Sequence, residues 1–182
     1  MDMIEHLREM ARNNAWSNNR LLTACAGLSD EEFGATRVSF FPSLRLTLNH
    51  ILIVDWYYID GLVEGGRGRS VYANEVPFPE LADLAAAQRA SDRQLVGYCD
   101  GLDEPGLTRP VVLDRGERGL KYETVTAVLT HLFIHQIHHR GQVHAMLSGT
   151  PVPPPQLDEF FLKEDARNSL PELVALGIAR PQ

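Results

Sequence analysis

The residues of this chain best suited to chemistry crowd into one stretch, His131-Leu-Phe-Ile-His135-Gln-Ile-His138-His139-Arg-Gly-Gln142. Five of the seven histidines fall between His131 and His144. The surrounding segment, about residues 122 to 148, has no proline and repeats its apolar residues at helical spacing. On a helix, residues four apart are neighbours with Cβ atoms roughly 5–6 Å apart. His135 and His139 can therefore aim ring nitrogens at one point. At about 100° per residue, Val125, Val128, Leu129, Leu132, Val143, Met146 and Leu147 form one stripe. His139 lies inside that stripe and His135 at its edge, with His131 and His138 further out. A buried imidazole needs a partner for each nitrogen. A metal ion supplies one, and so does a polar neighbour in the core. A single His-x-x-x-His pair does not separate these readings. A third ligand would.

The elements that must position these histidines follow from periodicity and breakers. A first helix spans Met3 to about Gly27, with Ile4, Leu7, Ala11, Ala15, Leu22 and Cys25 inward. Its asparagines, Asn13, Asn14, Asn18 and Asn19, are indifferent helix formers, and they either face solvent or bond specifically to loops or the site. Ser29 with Glu32 suits a capping box. After a connection at residues 40–43, a second helix runs from about Ser43 to Leu62, its inner face carrying Leu46, His50, Ile53, Val54, Tyr57 and Gly61. His50 is centred on that face and is the candidate third ligand, on a different helix from the pair.

A polar loop over residues 65–77 is long enough to be functional or mobile. A third helix covers about residues 79–101, with Pro79 in its first turn. Val111-Val112-Leu113, a glycine-containing turn and Leu120 to Tyr122 suggest a small hairpin before the fourth helix. Pro151 to Pro155 must be extended, and the tail offers two short amphipathic pieces, residues 157–163 and 170–176. With no internal repeat, these elements predict one all-α domain over residues 1–182. It is a four-helix bundle with a small β-hairpin before the fourth helix and a short helical C-terminal tail.

Composition excludes several function classes. A net charge of −7, with no basic run interleaved with aromatics, argues against nucleic acid as a partner. No apolar run approaches the roughly 18–20 residues of a membrane span, and the N-terminus has no signal-peptide pattern. Cys25 and Cys99 read as two buried thiols, which fits a reducing cytoplasm. Phe133, Ile134, Ile137 and Ala127 give the fourth helix a second apolar face, which the tail or a second copy could cover. A homodimer is expected.

Taken together, these residues resemble the DinB family of bacterial bundle proteins (DinB/YfiT-like metalloenzymes). The matching pieces are Asn49-His50 in the second helix and His135-Gln-Ile-His-His139-Arg-Gly-Gln142 in the fourth. Ala15-Trp-Ser-Asn-Asn-Arg-Leu-Leu22 and the proline-rich exit from the fourth helix add to the likeness, which extends from about Ala11 to Pro155. The resemblance implies a four-helix bundle holding one metal through His50, His135 and His139. It sets His131 near the site and His138 on the outer face.

Three histidines leave at least one coordination position open, as catalytic rather than structural zinc sites do. Zinc or nickel heads the expected metals, followed by iron, since imidazoles suit each of them. Bound water or a substrate thiol would be the activated species. A metallopeptidase is excluded because Gln136 stands where that motif needs glutamate, and no carboxylate occupies an obvious site position. Some relatives use a low-molecular-weight thiol, so the resemblance favours a thiol-dependent S-transferase or isomerase acting on a small-molecule substrate. A hydrolase-type enzyme is the other catalytic form. Gln142 and Asn49 are expected to support the ligands, and Arg140 to pair with an acidic surface neighbour or a substrate carboxylate. The competing readings are a metal-binding or stress-response protein without turnover and a histidine-lined core without metal.

Overall fold

The computed structural model describes residues 1–179. Its long helices are α1 (Met3–Cys25), α3 (Leu44–Val63), α4 (Leu81–Asp100) and α6 (Val125–Leu147). Short helices α2 (Asp30–Gly34) and α5 (Glu104–Leu107) sit in the connections, and α7 (Lys163–Ala175) closes the described chain. Strands β1 (Pro110–Asp114) and β2 (Leu120–Thr124) pair antiparallel, with Val112 opposite Tyr122. The protein is thus mainly helical, with the small hairpin before the last long helix and a short C-terminal helix.

Local chemistry sets the helix starts. The side chains of Asp2, Ser43 and Thr124 accept from the backbone N–H groups of Glu5, Leu46 and Ala127, which satisfies donors that a helix start leaves unpaired. Ser29 caps α2 through the Glu32 N–H, while the Glu32 carboxylate turns to Arg37, so only half of the expected capping box forms. Three boundaries differ from expectation. Residues 122–124 belong to β2, because Thr124 is the extended cap of α6. Pro79 precedes α4, since Glu80 is extended at its N-cap. Residues 157–162 form bends rather than a helix, and α7 instead runs through Pro171.

The apolar core divides into two clusters. One gathers Leu7, Ala15 and Trp16 with Tyr57, Leu95, Leu129 and Leu132; the other gathers Leu21, Leu22, Leu48, Leu52, Leu84 and Val143. Moving along α1 or α6, the chain meets the first cluster and then the second; along α3 and α4 the order reverses. The four helices therefore run up, down, down, up. Two consecutive helices in the same direction require a connection that travels the length of the bundle, which explains the long segment of residues 64–80. It is anchored rather than loose. The Asp60 carboxylate accepts from the N–H groups of Arg67 and Gly68. At the other end, Asn49 exchanges two hydrogen bonds with the backbone of Phe78.

Between the clusters lies a layer of buried polar side chains drawn from all four long helices. Asp92 Oδ1 accepts from Asn14, Asn18 and Gln88 at 3.2, 2.9 and 3.2 Å. Asp55 accepts from Gln88 at 2.6 Å and from Gln136, and Arg140 Nη1 donates to the amide oxygens of Asn14 and Asn18. Removing Asp92 would strand the amide donors of Asn14 and Asn18, leave Gln88 with Asp55 alone, and leave Arg140 without its largest favourable charge partner. Asp92→Ala is expected to destabilise the fold by roughly 3–5 kcal/mol, read as a shift in the urea denaturation midpoint; an unchanged midpoint would refute this role for the layer.

Candidate metal centre

α3 and α6 lie against each other, and their facing sides bring His50 to His135 and His139. One ring nitrogen from each lies within 4.8 Å of the others. His50 Nε2 and His135 Nε2 are 3.1 Å apart. Tetrahedral zinc with Zn–N bonds of 2.0–2.1 Å would hold two nitrogens about 3.3 Å apart, so the spacing fits a shared cation. His139 is buried, and the other two are half-buried.

The proton accounting also fits. Two imidazole nitrogens facing each other share at most one proton, and His135 Nδ1 is buried with no hydrogen-bond partner among the described residues. His139 Nδ1 meets Gln142 Oε1 at 2.9 Å, while Gln142 Nε2 meets His138 Nε2 at 3.1 Å. The arrangement that satisfies both contacts has Gln142 accepting from His139 Nδ1–H and donating to His138. That tautomer leaves a lone pair on His139 Nε2. Burial, reinforced by neighbouring histidines, lowers His50 to about 4 and His135 to about 3. Burial likewise lowers His139, against the pull of Gln142. Near neutral pH all three are unprotonated, the form that ligates metals.

The surroundings add features that the local sequence does not announce. The Phe41 ring lies 4.2 Å from that of His50 and 5.6 Å from that of His139, covering one side of the triad. In sequence this phenylalanine belongs to a connection, because nothing local in Phe-Phe-Pro-Ser signals what its ring will cover. His131, one turn before His135, is exposed, and its ring lies 5.2 Å from that of Tyr58. Beside it, Tyr58, Leu113, Arg115, Glu123, Val128 and His131 help line a cavity of about 200 Å³ to which His131, and no triad residue, contributes from the histidine run. Arg115 Nη2 donates to Tyr58 Oη at 2.9 Å, so this cavity carries a fixed cation together with the Glu123 carboxylate.

Of the expected supporting residues, Gln142 bonds a triad member, and His138 is exposed as expected. Asn49 does not support the ligands. Its side chain bonds Arg45 O and Phe78, securing the long connection. Arg140 is not a surface residue. It is 4% exposed and bonded within the polar layer. Asp55 and Gln136 are buried there as well. Asp55 holds its proton more tightly than an ordinary carboxyl, because burial and then nearby Asp92 oppose its charge.

The chain matches the family model described as the DinB family over residues 3–172. It is also similar to Protein DinB of Bacillus subtilis (strain 168), with 26% identity over 146 residues covering 74% of this chain and 80% of that relative.

Losing the partner that fixes a ligand's tautomer typically weakens metal affinity, so Gln142→Leu is expected to bind zinc roughly 10–100-fold more weakly. Competition with a chromophoric chelator measures this, and unchanged affinity would contradict the role. For the metal-free protein the pH dependence has a definite sign. The folded values of His50 and His135 lie below the ordinary 6.5, so their contribution to stability is whole above that value and is lost as pH falls through about 4. His50→Gln should flatten the decline in denaturation midpoint across that window, and a parallel decline would exclude His50 as a contributor.

Proposed function

The chain belongs to the DinB family, and we propose that it is a metalloenzyme in which His50, His135 and His139 hold one divalent transition metal for thiol-dependent S-transfer or isomerisation. The observation that carries this reading is the convergence of three imidazoles with no fourth histidine, cysteine or carboxylate joining them among the described residues. Such a set leaves a coordination position open. Zinc or nickel suits it best, and iron is also accommodated by imidazoles. When bound, the metal would stabilise a thiolate or lower the pKa of water.

The chain's own residues supply positioning and proton handling. Gln142 keeps His139 in the ligating tautomer, and Phe41 shields one side of the triad from water. Although the side chain is exposed, partial desolvation and then the nearby Arg115 lower the pKa of His131 from its ordinary value. Its unprotonated ring nitrogen is the base on the cavity side, suited to take the proton a thiol releases. Arg115 faces the same cavity and offers a partner for a carboxylate on the thiol or on the electrophile. A volume of about 200 Å³ admits a small electrophilic group rather than a macromolecule. Ile134, 62% exposed on α6, supports a second copy of the chain as the other partner.

Elemental analysis of untagged protein is expected to find about one metal per chain, lost in both His50→Ala and His139→Ala. Consumption of free thiol by the metal-loaded protein, screened against a panel of electrophiles, then tests turnover. Full metal content with no thiol consumed by any pair would favour metal binding without catalysis. Metal retained by either variant would overturn the ligand set.

A further inference from the structure

The side of α6 that faces away from the triad borders a second cavity. It has a volume of about 550 Å³ and lies between α6, α1 and the segment of residues 156–161. Its α6 wall is Ile137, Gly141 and His144, which stand about 140–200° around the helix from His139 at 100° per residue. This cavity is therefore separate from the metal centre.

Two polar side chains of α1 line it, Asn13 at 8% exposure and Ser17 at 1%. Among the described residues, no hydrogen bond is made by either side chain, and their polar atoms remain open to the water of the cavity rather than sealed in the core. Arg140 lines it too, at 4% exposure. Its bonds to Asn14 and Asn18 use only Nη1, so Nε and Nη2 have no protein acceptor among the described residues. An amide, a hydroxyl and a guanidinium thus share the lining of this cavity with the apolar side chains of Ile137, Leu157 and Phe161, Ile137 standing one turn before Arg140 on the same side of α6. At the rim, the exposed Asp158 carboxylate accepts from Gln156.

We infer that this cavity is a second ligand site, independent of the metal centre, that takes a small amphipathic carboxylate. The carboxylate would lie against Arg140, Asn13 and Ser17, and its apolar body would lie against Ile137, Leu157 and Phe161. A planar carboxylate matches the paired donors of a guanidinium edge. The volume is within the range of small-molecule pockets.

Decanoate is a suitable probe, with decanol lacking the charge and acetate lacking the body. Calorimetric titration of the full chain with decanoate should show one saturable site, with decanol and acetate each at least about tenfold weaker. Gly141→Leu tests the location, because a Cβ at Gly141 meets no atom within 4 Å and the leucine side chain would extend into the cavity. It should weaken decanoate at least tenfold while leaving metal content unchanged, and Asn13→Leu should weaken decanoate while sparing decanol. Several outcomes would overturn the inference: no saturable decanoate binding, equal binding of decanol, or affinity untouched by Gly141→Leu. Loss of decanoate binding in His50→Ala would do so as well, because it would move the carboxylate to the triad.

Discussion

The bundle depends on one constraint: a guanidinium and two carboxylates lie at its waist, away from water, and must be matched by neutral amides from α1, α4 and α6. Asp55, Asp92 and Arg140 are each fully or nearly fully buried. Uncompensated, any of them would be strongly destabilising. Compensation comes from Asn14 and Asn18 on α1, Gln88 on α4 and Gln136 on α6. Hydrogen bonds tolerate little misalignment, so this layer fixes the rotation and vertical register of the helices in a way that apolar packing alone does not. Burial also raises both carboxyls above the usual range, opposed for each by amide donors and Arg140.

That constraint reaches the triad through α6. Gln136 and Arg140 are four residues apart, as are His135 and His139, and each polar residue follows a histidine directly. Holding the first pair in the layer fixes the second pair about 100° around the helix, on the side that meets His50 of α3. His50 is presented from α3 five residues before Asp55, which belongs to the same layer. The histidines therefore sit on a scaffold whose rotation is already fixed. This is the kind of support that a metal site needs from the residues around its ligands.

Much of this is legible in the sequence. The four long helices follow from apolar periodicity, and the triad follows from His50 lying on one apolar stripe while His135 and His139 lie on another. The hairpin is marked by its glycine turn. The polar layer is not legible: Asp55 and Arg140 look like surface residues, Asn14 and Asn18 read equally as solvent-facing or specifically bonded, and Gln88, although on the inner face of its helix, shows no partner until the other helices are placed. Arg140 illustrates the difficulty: its charge suggests exposure, and its burial is tolerable because Asn14 and Asn18, more than a hundred residues away, accept from it while Asp92 and Asp55 balance its charge. Asn49 departs from expectation for a related reason. Its neighbour His50 points to the site, whereas its own side chain serves the long connection. The length of that connection is visible in the sequence, but its cause, two consecutive helices running the same way, is a property of topology.

X-ray absorption at the metal edge of protein loaded with one equivalent of zinc reads directly which atoms bind the cation. Three imidazole nitrogens are expected at about 2.0–2.1 Å with a light exchangeable ligand, and a sulfur at about 2.3 Å once a thiol is added. A fourth protein ligand, or a shell that excludes the added thiol, would contradict an open three-histidine site.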